Sequence, residues 1–402
     1  MKILFITQWF QPEPMLKGMP FIKELRKRGH IVEVLTGFPN YPFGKLYPGY
    51  NLRLAYIEKI DGTRVIRTYL YPSHNRNAFL RIINYLSFAF FASLIGPFFI
   101  KKPDIIYVYH PPATTMFPAI ICKYVFGAPI ILDIQDMWPD TLMATGMIRS
   151  QKIINSIGFI CKLLYKFADR IVVLSPGFKR LLICRGVDED KIRIIYNWCD
   201  EDIIWTNNDS QKEYSEIGLF KIVYAGNFGM AQSLEFVLKA ANIVQKKEPR
   251  IKFIFIGTGT EEDKLKKLSV KLGLINVEFR PFVEPKKVGV YISEADALLV
   301  HLKKEKLFEI TIPSKTQMYM AAGKPIIMCV SGDAAELVKI AKAGIVVEPE
   351  SPEEMANAIL KLYCEDKLLI KSYGESGRKY YENSLSIKAG TEKFENLFLE
   401  LL

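Results

Sequence analysis

Short, unbroken apolar runs recur along this chain, and segments of helical period separate most of them. In the first half, Ile3–Thr7, Ile31–Thr36, Val65–Leu70, Ile105–Tyr109, Pro129–Ile134 and Arg170–Leu174 read as strands. Met19–Arg28, a long apolar stretch before Lys101, Ala113–Phe126 and Gln151–Ala168 read as the helices between them. A strand apolar at every position has both faces covered, which is the condition of a parallel sheet with helices on either side. This half therefore reads as a doubly wound α/β domain. A polar, asparagine-rich stretch from Glu201 to Glu216 reads as a linker or surface loop. The alternation then resumes, with strands at Lys221–Tyr224, Ile251–Ile256, Val277–Arg280, Ala297–His301, Ile326–Val330 and Gly344–Val347. Helices are expected at Leu234–Lys246, Glu262–Leu272, Val288–Glu294, Pro352–Leu362 and Ser386–Leu402. The expected division is an N-terminal domain over 1–200, a C-terminal domain over 201–380, and a final helix within 381–402 that returns to the N-terminal domain.

Half of the 402 residues are hydrophobic, enough for two substantial cores. The six cysteines are scattered without a CxxC pair and read as reduced core residues. MKILFITQWF has too short an apolar run for a signal peptide and reads as the first strand. Charge is unevenly spread: residues 1–102 hold 15 Lys/Arg against 5 Asp/Glu, so +10 of the net +11 lies in the first quarter. A basic face suits nucleic acid, an anionic membrane or an anionic substrate, and the neighbouring sequence chooses. Asn84–Ile100 is uncharged, is flanked by Arg76, Arg81, Lys101 and Lys102, and is interrupted by Gly96 and Pro97. It is marginal as a span of about 20 residues. Basic flanks on both sides favour contact with an anionic leaflet over crossing it, and a buried helix is the plain alternative. The expectation is peripheral membrane contact through 76–102, with no nucleic-acid partner.

Possible chemistry lies where strands meet helices. In IPSKTQMYMAAGKPII, Pro313 and Ser314 mark a helix start, Gly323 a stop and Pro325 the turn to the next strand. Such a helix start presents unpaired N–H groups and partial positive charge to a diphosphate. Gly226 and Gly229 in YAGNFGMAQSLE, and Gly257 and Gly259 in IGTGTEED, follow two strands of the second series. Glycine there lets backbone approach a phosphate, or simply makes a tight turn. In the first series, His110 and the segment LDIQDMWPD, with Gln135, Asp136, Trp138 and Asp140, stand at strand ends facing a crevice. Asp136 also suits a helix cap. TGFPNYPFGK, with Asn40, Tyr41 and Gly44, and QWFQPEPMLKG, ending at Gly18, leave neighbouring strands as shaped loops with polar and aromatic contacts. There is no HExxH, no clustered His/Cys, no Walker lysine loop and no GxSxG elbow, and no Asp-x-Asp stands in the setting of a divalent-dependent sugar transferase. No metal and no cofactor is expected.

ELRKRGHIVEVLTGFPNYP, DIQDMWPD, PSKTQMYMAAGKPI, SGDAAELV and AGIVVEP resemble the nucleotide-sugar glycosyltransferases of the GT-B fold, family 4, over nearly the whole chain. They are most similar to the bacterial branch that builds surface polysaccharides, which includes N-acetylfucosamine transferases. The resemblance implies two Rossmann-like domains facing across a cleft, with a UDP-sugar donor on the second and an undecaprenyl-diphosphate-linked saccharide acceptor on the first. It also implies retaining, metal-independent transfer on the cytoplasmic side of the cell membrane. On that reading Asp136 and His110 are catalytic. Gly226, Asn227, Gly229, Gly257, Glu309, Ser314, Lys315 and Gln317 bind the donor, and Gly18, Asn40, Tyr41 and Trp138 bind the acceptor. Departures are plain. The family's Glu-x7-Glu pair falls at Ile310 and Met318, with Glu309 one residue off. Asn227 and Gln232 stand where an Arg-Lys clamp on the diphosphate belongs, and Gln135 stands where a His belongs. Lys315, or else Lys303, Lys304 and Lys306, offers the missing cation. A UDP-sugar 2-epimerase and a non-catalytic partner of a polysaccharide assembly complex are the competing readings.

Overall fold

The computed structural model describes residues 1–73, 78–144, 148, 150–205 and 218–402. Arg76 and most of the polar stretch expected at 201–216 lie outside the described residues. The chain forms two compact units, Met1–Tyr196 with Gly390–Leu402, and Asn197–Ala389.

The first unit is built on eight strands: β1 (Lys2–Ile6), β2 (Ile31–Gly37), β3 (Ala55–Ile60), β4 (Thr63–Thr68), β5 (Ile105–His110), β6 (Ile130–Ile134), β7 (Arg170–Val173) and β8 (Ile192–Ile194). They lie in the order β3-β4-β2-β1-β5-β6-β7-β8. All neighbours are parallel except β3 and β4. β3 was not expected from the sequence, because it is a half-exposed edge strand without a continuous apolar run. Its signal was the turn: Asp61 and Gly62 both take positive φ, as a two-residue hairpin of right-handed twist requires. The helices are α1 (Met19–Lys27), α2 (Ala78–Phe99), α3 (Met116–Phe126), α4 (Asp140–Ala144), α5 (Gln151–Phe167) and α6 (Pro176–Cys184). Neither α6 nor β8 was expected.

α2 corrects one expectation, since it runs through Gly96 and Pro97 to Phe99. Pro97 falls in the last turn, where the single lost backbone bond matters little. One face of α2 carries Asn84, Phe88 and Ala92 into the core, and the opposite face leaves Phe90, Leu94 and Phe98 exposed.

The second unit carries β9 (Phe220–Ala225), β10 (Ile251–Ile256), β11 (Val277–Arg280), β12 (Ala297–His301), β13 (Ile326–Cys329) and β14 (Gly344–Val346). Its order, β11-β10-β9-β12-β13-β14, is parallel throughout. Its helices are α7 (Glu201–Trp205), α8 (Leu234–Lys247), α9 (Glu262–Lys271), α10 (Pro285–Ser293), α11 (Lys306–Glu309), α12 (Ser314–Ala321), α13 (Asp333–Ala341), α14 (Pro352–Cys364) and α15 (Lys367–Tyr380). α7 replaces the beginning of the expected loop at Glu201, and α11 and α15 were not expected. The sheet reverses direction between β9 and β12, which opens a crevice at their C-terminal ends. A last helix, α16 (Ile387–Leu399), supplies residues from Gly390 onward to the first unit. There Phe394 packs against Phe21 and Tyr107, with ring centroids 5.2 and 5.5 Å away. Both units are doubly wound α/β sheets, as the largely apolar runs of their central strands imply.

Candidate active site

In the second unit the loops leaving β9 and β10 lie back to back. Gly226 N–H donates to the Ile256 carbonyl at 2.9 Å, and Phe228 N–H to the Thr258 carbonyl at 2.9 Å. A Cβ on Gly257 would stand 1.9 Å from the Gly226 carbonyl oxygen, and one on Gly259 would stand 2.4 Å from that of Phe228. These glycines therefore answer first to the approach of one loop to the other. Gly257 also holds φ +146°. Gly257→Ala is expected to cost about 2 kcal/mol or more, since backbone rather than a movable side chain fills the space; a urea melt coinciding with that of the parent would refute it. Ala225, Gly226, Asn227 and Gly257 border a mostly apolar pocket of about 360 Å³, closed further by Phe282 and Met318.

Lys315, in the first turn of α12, reaches back to this loop. Its Nζ lies 3.7 Å from the centroid of the Tyr224 ring and 2.9 Å from where a Gly226 side chain would begin. The residue as a whole is only half-buried, but the ammonium is shut off from solvent and has no hydrogen-bond partner among the described residues. Burial pushes its pKa down from 10.5 to about 7. Beside it, α12 begins at Pro313 with no side-chain cap, so its first N–H groups are open to an anion.

The remaining expected donor residues stand as follows. Asn227 is exposed, its carbonyl accepts from Tyr224 Oη at 2.8 Å, and its side-chain amide lies over Gly229. Gly229 N–H donates to Gln232 Oε1 at 3.1 Å, so Gln232 shapes the loop. Gln317 is buried and its amide nitrogen is placed to donate to the Pro313 and Ser314 carbonyls, bracing the first turn of α12. Ser314 and Glu309 are exposed. The Glu309 carbonyl packs against Gly332, where a Cβ would meet it at 2.0 Å. Lys303 and Lys304 pair with Glu305 at 3.1 Å and Glu348 at 2.6 Å. His301, at the end of β12, was missed. Its Nε2 accepts from Glu350 N–H at 3.3 Å, so Nδ1 carries the proton and donates to the Gln232 carbonyl at 2.7 Å. Burial lowers its pKa, and the neutral ring ties the β9 loop to two others. A histidine at a strand end was its signal, as it was for His110.

In the first unit, His110 ends β5. Its ring is fully buried and neither nitrogen has a partner among the described residues. Burial pushes its pKa down to about 4, so it is neutral at pH 7. It meets Trp138 edge-on at 5.7 Å. From Trp138 an aromatic wall continues through Tyr85 at 6.0 Å and Trp9 at 6.3 Å to Tyr41 at 5.0 Å. Asp136 stands on the turn after β6, half-buried, with no ion-pair partner among the described residues and its pKa raised by burial.

Two buried acids hold this end of the sheet. Asp133 accepts from Lys17 Nζ at 2.7 Å, Gln135 Nε2 at 2.7 Å and the Tyr107 hydroxyl. Gln135 thus turns inward rather than to the crevice. Glu13 gathers the N–H groups of Phe10, Asn40 and Tyr41 at 2.9, 2.7 and 2.7 Å. Its burial outweighs these bonds, and its pKa rises to about 7. Asn40 is itself buried. It donates to the Phe38 carbonyl and accepts from Asn84, so it ties loops together. Gly18 precedes α1 under the Gln11 amide, which would have to shift to admit a side chain. Arg185 pairs with Asp140.

Residues 19–198 match the family described as glycosyl transferase 4-like domain, and residues 220–365 match glycosyl transferases group 1. Between them the two take in well over half of the chain. The chain therefore belongs to the glycosyltransferases, and it has the GT-B fold that these two domains compose. It is similar to the putative colanic acid biosynthesis glycosyl transferase WcaI of Escherichia coli, 26% identical over 98% of this chain and 99% of that one. It is also similar to the probable glycosyltransferase WbjE of Pseudomonas aeruginosa, 25% identical over 81% of this chain and 82% of that one. Among solved structures, Anabaena Alr3699/HepE in complex with UDP matches with a TM-score of 0.68, 15% identity and full coverage of both chains. The N-acetylfucosamine specificity suggested by the sequence has no counterpart in these names.

Proposed function

We propose that this glycosyltransferase moves a sugar from a UDP-sugar to a lipid-diphosphate-linked saccharide during synthesis of a bacterial surface polysaccharide. The observation that carries the reading is Lys315, a buried ammonium without an anionic partner beside the open start of α12 and the Gly226 loop. A diphosphate supplies the charge that this arrangement lacks. The flexible stem lets the ammonium turn from the Tyr224 ring toward the leaving group. The half-buried pocket beside Gly226 and Met318 takes the apolar part of the nucleotide. HepE, with the same fold, was solved with UDP, and WcaI is named for colanic acid biosynthesis; both support the reading.

In retaining transfer the acceptor oxygen attacks the face that the diphosphate leaves, so stabilising the leaving group is the main task of the protein. Lys315 and the α12 amides do this. Trp9 and Tyr41, the half-buried end of the aromatic wall backed by buried Tyr85 and Trp138, suit the apolar faces of saccharide rings. Half-buried Asp136 acts on the acceptor hydroxyl from its margin, and neutral His110, buried edge-on against Trp138, positions that ring. The sugar moved is an N-acetylated amino or deoxy hexose and the carrier lipid is undecaprenyl diphosphate. Residues 76–102 contact the cytoplasmic face of the cell membrane. Titration calorimetry of the full chain with UDP, GDP and ADP, with and without EDTA, tests the donor side. Selective, EDTA-insensitive UDP binding is expected. Binding of none of them would favour a non-catalytic partner, and a donor epimerised without acceptor would favour an epimerase.

A further inference from the structure

The apolar surface of the first unit extends well beyond the segment that the sequence singled out. On α2, Phe90 and Phe98 are 61% and 84% exposed; on α3, Tyr124 and Val125 are 74% and 57% exposed; on α5, Phe159 and Ile160 are 64% and 45% exposed. The connections β4-α2-β5, β5-α3-β6 and β6-α5-β7 all step across the sheet in one direction. Right-handed crossovers then place all three helices on the same face. α2 packs on α3, and Lys123 of α3 donates to the Phe167 carbonyl at the end of α5 at 3.2 Å. The exposed side chains thus share one face, where soluble proteins seldom leave large contiguous apolar area.

The charges on this face select its occupant. α2, α3 and α5 contain no Asp or Glu, while they carry Arg81, Lys123, Lys152, Lys162 and Lys166. Lys152, Lys162 and Lys166 are exposed, as are Lys101 and Lys102 just after α2. A second copy of the chain would set these like charges against one another, whereas an anionic leaflet neutralises them. α2 does not leave the sheet to span the leaflet. Its Asn84 is bonded to Gln8, Asn40 and the Tyr71 carbonyl, and Phe88 and Ala92 are core residues.

We propose that α2, α3 and α5 form a single docking face that inserts shallowly into a leaflet rich in anionic lipid. This rests on the membrane reading above, which needs α2 alone. The test is co-sedimentation of the full-length protein with vesicles of phosphatidylcholine, alone or mixed with phosphatidylglycerol. The parent is expected to bind the mixed vesicles only. Phe90→Ser with Phe98→Ser, Tyr124→Ser with Phe159→Ser and Ile160→Ser, and Lys152→Glu with Lys162→Glu and Lys166→Glu are each expected to lower partitioning about tenfold or more. All are exposed positions, and an unchanged melting temperature checks that each variant folds. If the α3–α5 variants sediment like the parent while the α2 variant does not, the three-helix face is wrong and the narrower reading stands. If the parent binds neither vesicle, both fail, and a dimer in light scattering that the α3–α5 substitutions dissolve assigns the face to a second copy.

Discussion

Replacing Lys315 by Met is expected to raise the melting temperature of the protein and to remove most of the UDP affinity proposed for it. The two effects share one cause. The ammonium is closed off from water beside the Tyr224 ring and the Gly226 loop, so burial costs stability that no acceptor among the described residues returns. Met keeps the length and apolar volume of the stem without the charge. A gain of about 1–2 kcal/mol, or a few degrees in Tm, is expected near pH 7. The sign follows from the pKa. Lys315 falls from 10.5 to about 7 on folding, so between those values the unfolded chain holds more protons and parent stability rises with pH. The advantage of the Met variant is therefore largest at and below pH 7 and fades toward 10.5. UDP reverses the balance, because a bound diphosphate restores the proton. Parent affinity is expected to be highest below pH 7 and to decline above it, with proton uptake on binding near pH 8. Losing one charge-assisted contact weakens UDP binding about 10- to 100-fold. Calorimetry in buffers of different ionisation enthalpy reads both effects, and a Met variant that melts lower, or binds UDP as the parent does, contradicts the assignment.

Asp133→Ala is expected to be the most damaging single change in the first unit, at about 3–5 kcal/mol. Lys17 and Asp133 are both fully buried at 2.7 Å, and burial already pulls the Lys17 pKa down despite the carboxylate beside it. Removing the acid takes the carboxylate away from that buried ammonium, and its oxygens from the Tyr107 hydroxyl and the Gln135 amide that donate to them. Replacing both charges, Lys17→Met with Asp133→Leu, is expected to recover much of the loss, since an apolar pair of similar size needs no partner. Urea unfolding followed by tryptophan fluorescence checks the series; Trp9 and Trp138 both lie in this unit. A midpoint for Asp133→Ala equal to that of the parent would show that the pair does not hold the sheet end together.

Most strands were legible because parallel strands covered on both faces are largely apolar along their length. Ile251–Ile256, Val277–Arg280 and Ala297–His301 stand as read. β3 alternates at an edge, and β8 has only three residues, so neither has such a run. The glycine turns and the start of α12 were legible as loops at strand ends. What was not legible was that Gly257 serves the Gly226 carbonyl, or that the Lys315 ammonium is sealed under the first loop. Partners far apart in sequence escaped altogether: Lys17 with Asp133, Glu13 with Asn40 and Tyr41, and His301 with Gln232 and Glu350. Composition told that α2 is apolar without telling which of its faces the sheet consumes.

The division of the first unit into Met1–Tyr196 and Gly390–Leu402 has a consequence for synthesis of the chain. Phe394 closes the core over Phe21 and Tyr107, and Glu395 pairs with Arg28 and His30 at 2.8 and 2.7 Å. None of these contacts exists on the ribosome until Asn197–Ala389 has been made. The unit translated first is thus the later of the two to be completed, and it waits with the part of its core beside Phe21 and Tyr107 uncovered while the other unit has all its residues in hand.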